Sequence, residues 1–140
     1  MIAGRRMTAS ERTDVHALLA PTQPDEAALG RALTLFVERE DYGFVWMATD
    51  EADRIVASVF VSYAISGASG GLLAHLDDLV FDATHGFATG IALLETLAEH
   101  LRPMEITQML AVAPRARGMT AFFIEAGFTD RAMDAHAKLL

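Results

Sequence analysis

Residues 72–102, LLAHLDDLVFDATHGFATGIALLETLAEHLR, carry a strand, a turn and a helix in one continuous pattern. The segment Leu72–Phe81 is apolar around the pair Asp77–Asp78, which predicts a strand. Small and polar residues over Asp82–Gly90 predict a turn. After the turn, apolar residues recur at helical spacing and share one helix face: Phe87, Ile91, Leu94, Ala98 and Leu101.

The turn is a candidate anion site. Where a strand passes through a turn of small residues into a helix, several backbone N–H groups converge at the positive end of the helix dipole. Phosphate is the usual ligand of such an arrangement. The alternative interpretation is an ordinary capped connection between a strand and a helix, with no ligand.

This stretch resembles the GNAT superfamily of N-acyltransferases. Asp77–Phe81, DDLVF, resembles the end of the family's central strand, and His85–Gly90, HGFATG, resembles the turn that follows it. His85 stands where the family usually has Arg or Gln, and Ala88 stands where it usually has Gly, whereas Gly90 matches. The order of the predicted elements extends the resemblance over nearly the whole chain.

A second segment carries the same resemblance. Ala121–Phe128, AFFIEAGF, resembles the family's short helix, which often has the form Phe-Tyr-x-x-x-Gly-Phe. Phe123 stands where the family has a Tyr that protonates the departing thiolate. Because Phe123 has no O–H group, it cannot donate that proton. Core packing of a short helix is therefore the favoured explanation of Phe122 and Phe123.

The resemblance implies that acetyl-CoA is the co-substrate. In the family, a bulge near the end of the central strand offers a backbone N–H to the thioester carbonyl, and the turn holds the pyrophosphate. The positions that the resemblance assigns to the co-substrate are the strand end Leu79, Val80 and Phe81, the turn residues His85, Gly86, Phe87, Ala88, Thr89 and Gly90, and Phe123.

Acetyl transfer to an amine also needs a group that takes a proton, and Asp77 and Asp78 are the candidates. Neighbouring strand residues point to opposite faces, so at most one of the two enters a given cleft. The resemblance aligns Asp77 with an acidic residue that polyamine-acetylating members use near the amine. His75 lies two residues earlier on the same face and could relay the proton. The alternative is a polar pair at a sheet edge or a dimer contact.

The composition narrows the class of protein. A chain of 140 residues with 52% hydrophobic residues and a mean hydropathy of +0.27 predicts one folded domain over residues 1–140. The net charge of −8 disfavours nucleic acid as a partner. It suits a cationic amine as substrate, and the alternative explanation is that the charge only keeps the protein soluble. The sequence contains no run of about 18 apolar residues, which is the length that a membrane helix needs. Without cysteine and without paired histidine spacing, we expect no metal site and a cytoplasmic location.

The remaining segments complete an α/β chain. They predict a weak first strand in Met1–Thr8, a helix capped by Ser10, a helix Glu26–Arg39 capped by Asp25, paired strands Tyr42–Thr49 and Ile55–Ile65, a strand Ile106–Val112, a helix Met119–Ala126 and a last strand His136–Leu140. This order fits the GNAT fold, a mixed and mostly antiparallel central sheet flanked by helices.

Two hypotheses about function follow. The first is an acetyl-CoA-dependent N-acetyltransferase that acts on a small amine or a protein amino group, and the resemblance also implies a possible homodimer. The second is a catalytically silent GNAT-fold protein with a binding or regulatory role. The departures at His85, Ala88 and Phe123 favour the second hypothesis.

Overall fold

A computed structural model describes residues 2–68 and 70–140 of the chain. The strands are β1 (Ala3–Arg6), β2 (Gly43–Thr49), β3 (Ile55–Ser66), β4 (Gly71–Phe81) and β5 (Met109–Ala111). The α-helices are α1 (Arg12–Leu19), α2 (Glu26–Glu38), α3 (Ala88–Leu101) and α4 (Thr120–Glu125).

The five strands form one sheet in the order in which they occur in the chain. The pairs β1–β2, β2–β3 and β3–β4 are antiparallel, whereas the pair β4–β5 is parallel. A parallel pair needs a long crossover, and α3 provides it between β4 and β5. The predicted mixed, mostly antiparallel sheet flanked by helices is confirmed.

Helices cover both faces of the sheet, so the protein has two apolar cores. One core joins α1 and α2 to the sheet and contains Val15, Leu19, Leu29, Leu33, Val45, Met47, Phe60 and Val80. The other joins α3 and α4 to the opposite face and includes Trp46, Val59, Leu76, Leu93, Leu97 and Phe122. Because both faces are covered, every residue of β2 is buried.

Several predicted boundaries shift in the structure. Asp25 caps α2 as predicted, because its carboxylate accepts the N–H of Ala28 at 2.9 Å. Ser10 does not cap α1: it lies inside a 3-10 turn, Ala9–Glu11, which leads into α1 and is capped by Thr8 in a capping box with Glu11. Glu11 also binds Arg5, and these bonds lower the pKa of the Glu11 carboxyl to about 2.

Two predicted strands near the C-terminus differ from the structure. The predicted strand Ile106–Val112 contracts to the three residues of β5, because residues 106–108 and 112 have no regular secondary structure. The predicted last strand His136–Leu140 is wrong, since residues 128–140 contain no regular secondary structure. Its residues are exposed and pair with no strand of the described sheet.

Ser58 is a buried polar residue in β3, and it yields a stability prediction. Its side chain is fully buried, and within the described residues its hydroxyl has no hydrogen-bond partner. Because a buried hydroxyl without a partner is unfavourable, we expect Ser58→Ala to raise the free energy of unfolding by about 1 kcal/mol. Urea denaturation of the two proteins measures the difference, and a loss of stability in the variant would contradict the prediction.

Candidate active site

Strand β4 carries an extra residue at its pair of aspartates. Phe60 of β3 pairs with Asp77, whereas Ser58, two residues earlier on β3, pairs with Val80. Strand β4 therefore contains a β-bulge at Asp78, which adopts φ +52°. Asp tolerates this left-handed backbone better than most residues, because its short polar side chain can form local hydrogen bonds.

Beyond the bulge, no strand within the described residues lies beside one edge of β4. Strand β5 pairs only with Ala74–Leu76. The N–H of Asp82 donates to the carbonyl of Val56 in β3. Because hydrogen bonds alternate along an antiparallel strand, the backbone groups of Leu79 and Phe81 point away from β3 and towards the open edge. A ligand with amide groups can pair with them there.

Arg117 crosses this open edge. It lies in the 3-10 turn Arg115–Arg117 after β5, and its Nη2 donates to the carbonyl oxygen of Leu79 at 2.8 Å. Val80 pairs with Ser58 instead, so its backbone faces β3 rather than the edge. A ligand that pairs with the carbonyl of Leu79 must therefore share that oxygen with the guanidinium of Arg117 or displace the guanidinium.

The N-terminus of α3 follows the open edge of β4 along the chain. Its N-cap residue Phe87 makes no capping hydrogen bond through its side chain, and its first turn has no acidic residue. Within residues 2–68 and 70–140, no acceptor takes the backbone N–H of Thr89 or Gly90. The positive end of the helix dipole is thus left without a negative partner from the chain.

The turn between β4 and α3 is held by its own side chains. The Asp82 carboxylate accepts the N–H of Thr84 at 2.9 Å and its hydroxyl at 2.5 Å. These bonds, the hydroxyl bond above all, lower the pKa of Asp82. Gly86 adopts φ +63°, which a residue with a Cβ adopts only with strain.

Helix α3 begins earlier than the sequence pattern predicts, and this divides the predicted phosphate turn. Ala88, Thr89 and Gly90 already belong to the helix, so Ala88 does not need the positive φ that would favour Gly. The exposed members of the turn are His85, Gly86, Phe87 and Ala88, whereas Thr89 and Gly90 are buried.

Gly90 is enclosed by aromatic rings. A Cβ at this position would lie 2.6 Å from the ring of Phe81 and 2.7 Å from the ring of Phe122. Helix α3 therefore approaches β4 and α4 closely because Gly90 has no side chain. Phe123 lies partly buried next to this cluster, with its ring centroid 5.2 Å from that of Phe122 and 5.3 Å from that of Phe128.

The predicted base residues lie on the face of the sheet that carries α1 and α2. His75 pairs with Ser62 and Asp77 pairs with Phe60, so the two side chains share a face as predicted. Asp77 is exposed, and its carboxylate accepts the N–H of Asp78 at 2.9 Å. His75 and Asp77 remain predictions as catalytic residues.

Asp78 lies deeper than Asp77. Burial raises the pKa of the Asp78 carboxyl, the neighbouring charge of Asp77 raises it further, and Arg117 opposes the rise. The side-chain amide of Gln23, in the segment between α1 and α2, donates to Asp78 Oδ1. Of the two aspartates, Asp78 has the more protected environment, which is the condition under which a carboxylate interacts strongly with a cation.

Asp78 opens onto a cleft of about 570 Å³. The cleft has a wall from α2, a floor from β3 and a rim from the residues before β2, and its lining is Ala32, Leu35, Phe36, Asp41, Tyr42, Phe60, Ser62, Tyr63 and Asp78. A volume of this size is typical of small-molecule sites, as is a mostly apolar lining with a few polar groups. The described residues contain no cluster of metal-ligating side chains.

Sequence analysis missed three contributors to this region. Gln23 and Arg117 reach the bulge from distant parts of the chain, and no local pattern indicated either contact. Tyr42 lines the cleft, although the pattern indicated only the start of a strand. Of the two aspartates that the sequence left open, Asp78 lines the cleft, because the bulge breaks the alternation from which such orientations are predicted.

Solved structures with this fold are acetyltransferases in most cases, and the chain has the GNAT fold. It superposes on aminoglycoside antibiotic 6'-N-acetyltransferase AAC(6')-Ih from Acinetobacter baumannii with a TM-score of 0.79 at 14% identity, over 100% of this chain and 99% of that chain. A predicted acetyltransferase with acetyl-CoA from Clostridium acetobutylicum gives a TM-score of 0.75 at 12% identity, over 99% and 96%.

An integron cassette protein from the mobile metagenome of Cole Harbour Salt Marsh is also similar, with a TM-score of 0.79 at 18% identity over 98% of this chain and 90% of that chain. No family model and no curated protein matches the sequence. Within the described parts of the chain, no helix has both the length and the apolar character of a membrane span.

Proposed function

We propose that the protein is an acetyl-CoA-dependent N-acetyltransferase that acts on an amine. One observation carries the proposal: the open edge of β4 at Leu79 and Phe81 is followed along the chain by a helix N-terminus with unpaired N–H groups. Coenzyme A contains both matching parts, since its pantetheine arm has amide groups and its pyrophosphate is an anion. The GNAT-fold acetyltransferases with which the chain superposes support the same reading.

In this proposal each part of the site has a chemical task. Backbone N–H groups at Leu79 and Phe81 polarise the thioester carbonyl, and the N-terminus of α3 binds the pyrophosphate. Holding the amine against the thioester supplies much of the rate. Asp77, with His75 on the same face, takes a proton from the ammonium through solvent. The thiolate leaves without a proton from residue 123, because Phe has no O–H group.

A second candidate function is a silent GNAT-fold binding protein. The specific observation in its favour is the hydrogen bond from Arg117 to the carbonyl of Leu79, which occupies the edge that a pantetheine arm would use. A hydrogen bond from the partly buried Arg117 can be exchanged for a ligand, since its net contribution is about 1 to 3 kcal/mol. Acetyl-CoA binding separates the two candidates.

Ala88→Asp is the sharpest test of the co-substrate site. Ala88 is exposed and is the first residue of α3. A carboxylate at that position stabilises the helix by about 0.3 to 1 kcal/mol, because it interacts favourably with the helix dipole. The same carboxylate repels a pyrophosphate bound at that helix end. We therefore expect calorimetric titration to give micromolar acetyl-CoA affinity for the wild type and an affinity at least about tenfold weaker for the variant, with no loss of thermal stability.

Ala88→Asn is the matched control, because it has nearly the same shape without the charge. We expect it to bind acetyl-CoA within about threefold of the wild type. Equal affinities for the Asp and Asn variants would refute phosphate binding at α3, and absence of binding to the wild type at millimolar acetyl-CoA would refute the acetyltransferase proposal. Gly90 is unsuitable for this test, since any side chain there meets the rings of Phe81 and Phe122.

A further inference from the structure

We infer that the cleft at Asp78 binds a primary ammonium group attached to an apolar or aromatic body, with the ammonium at the Asp78 carboxylate. The assignment of this ligand as the acetyl acceptor rests on the proposed function, whereas its chemistry rests on the cleft itself. The inference follows from the charges, the apolar lining and the position of the cleft.

The charges of the cleft favour a cation. Two of its lining residues are acidic, and none is Lys, Arg or His. Asp41 is already paired, because Arg39 Nη2 lies 2.8 Å from its Oδ2. Asp78 accepts a neutral amide from Gln23, and it faces the repulsive charge of Asp77 and the favourable charge of Arg117. Of the two carboxylates in the cleft, Asp78 is thus the one without an ion pair among the described residues, and an ammonium group can bind there.

The rest of the lining favours an apolar body. Phe36 and Phe60 meet edge to face with ring centroids 4.9 Å apart. Leu35 and Tyr42 at the mouth are each 51% exposed, so a ligand that covers them removes apolar surface from water. The guanidinium of Arg39 stacks over the ring of Tyr42 at 4.1 Å and leaves that rim unfavourable for a second cation. A diamine or a phosphorylated amino sugar fits this lining less well than an apolar monoamine.

The position of the cleft joins the inference to acetyl transfer. Asp78 precedes Leu79 in the chain, and the backbone of Leu79 faces the open edge of β4. An ammonium at Asp78 is therefore next to the place proposed for the thioester. In the reaction the ammonium first loses one proton through solvent to the Asp77 carboxylate. The amine nitrogen then forms a C–N bond, the C–S bond breaks, and the second proton from nitrogen goes to the departing thiolate.

The test measures binding of 2-phenylethylamine in the absence of acetyl-CoA, by calorimetry or ligand-observed NMR. The comparison ligands are 2-phenylethanol, which lacks the charge, putrescine, which has two charges and no ring, and glucosamine 6-phosphate, which is anionic. We expect 2-phenylethylamine to bind most tightly, by at least about tenfold over each comparison ligand. Tighter binding of putrescine or glucosamine 6-phosphate would overturn the inference.

Three variants locate the ammonium. Asp78→Asn should weaken 2-phenylethylamine at least about tenfold, and it should fold, because Asn also tolerates the left-handed φ at this position. Leu35→Lys at the exposed mouth should weaken the amine without entering the core. Asp130→Asn, in the exposed chain after α4, removes one charge elsewhere and should leave the affinity unchanged. Unchanged affinity in Asp78→Asn, or an equal loss in Asp130→Asn, would overturn the assignment.

Thiol release with acetyl-CoA and 2-phenylethylamine then separates this inference from the proposed function. Amine binding that depends on Asp78, together with thiol release, supports both. The same amine binding without thiol release supports the ammonium site and refutes the acetyltransferase proposal. Thiol release with putrescine or glucosamine 6-phosphate, but not with 2-phenylethylamine, supports the enzyme and overturns the inference.

Discussion

Gly43→Ala is expected to lower the free energy of unfolding by at least about 3 kcal/mol and Tm by about 10 °C. Gly43 is the first residue of β2, it is buried, and its φ is +150°, which residues with a side chain rarely adopt. A Cβ there would lie 1.9 Å from the carbonyl oxygen of Val61 and 2.9 Å from the Cα of Ser62. Both contacts are to the backbone of β3, so no rotamer change relieves them and the two strands must separate.

Gly30→Ala is the matched control for this substitution. Gly30 lies inside α2, and a Cβ at that position has no atom within 4 Å. Because Ala favours a helix over Gly, we expect Gly30→Ala to raise stability by about 0.5 to 1 kcal/mol. Thermal and urea denaturation of the three proteins measure both effects. If Gly43→Ala were as stable as the wild type, the close approach of β2 and β3 at this point would be wrong.

Phe122→Ala is expected to cost about 3 to 5 kcal/mol of stability, comparable to other large core truncations. The side chain is 1% exposed, and its ring centroid lies 4.8 Å from that of Phe81 and 5.4 Å from that of Phe87. The ring also covers Gly90 of α3. Its removal leaves a cavity where α3, α4 and the end of β4 meet, and a short helix such as α4 has few other buried residues to hold it in place.

Ile124→Ala separates the loss of packing from any effect on helix formation. Ile124 lies on the same helix but is 60% exposed, so we expect a change within about 0.5 kcal/mol. Calorimetric unfolding of the two variants gives the comparison. Similar losses in both variants would mean that Phe122 does not anchor α4 to the rest of the protein, contrary to its ring contacts.

Sequence reasoning was most successful where local pattern determines structure. The alternation from strand to turn to helix over residues 72–102 predicted β4 and α3, and Asp25 predicted the start of α2. Local side-chain periodicity and capping decide such features, and both are visible in one sequence. The mostly antiparallel sheet followed from the GNAT resemblance, and the short polar turn before β3 also predicted the antiparallel pairing of β2 with β3.

The candidate site was only partly predictable, because its geometry depends on contacts between distant residues. The bulge at Asp78 shifts the register of β4 against β3 by one residue, and no local residue pattern indicated where that extra residue would lie. Gly90 matched a family turn, yet its neighbours Phe81 and Phe122 come from other elements. The tail His136–Leu140 was predicted as a strand from little periodicity, and the described sheet contains no partner for it.

The sequential order of the strands has a consequence for folding. Strands β2, β3 and β4 are joined by short turns, whereas β1 and β5 pair with strands more than 30 residues away, as in Ala3 with Thr49 and Ala74 with Met109. Local contacts form with the smaller loss of chain entropy, so we expect the three-strand meander of residues 43–81 to form first. The bulge at Asp78 thus belongs to the early unit, and α2 and Arg117 complete its surroundings afterwards. Sequence changes in those later parts can alter what the site binds while the backbone that defines it assembles unchanged.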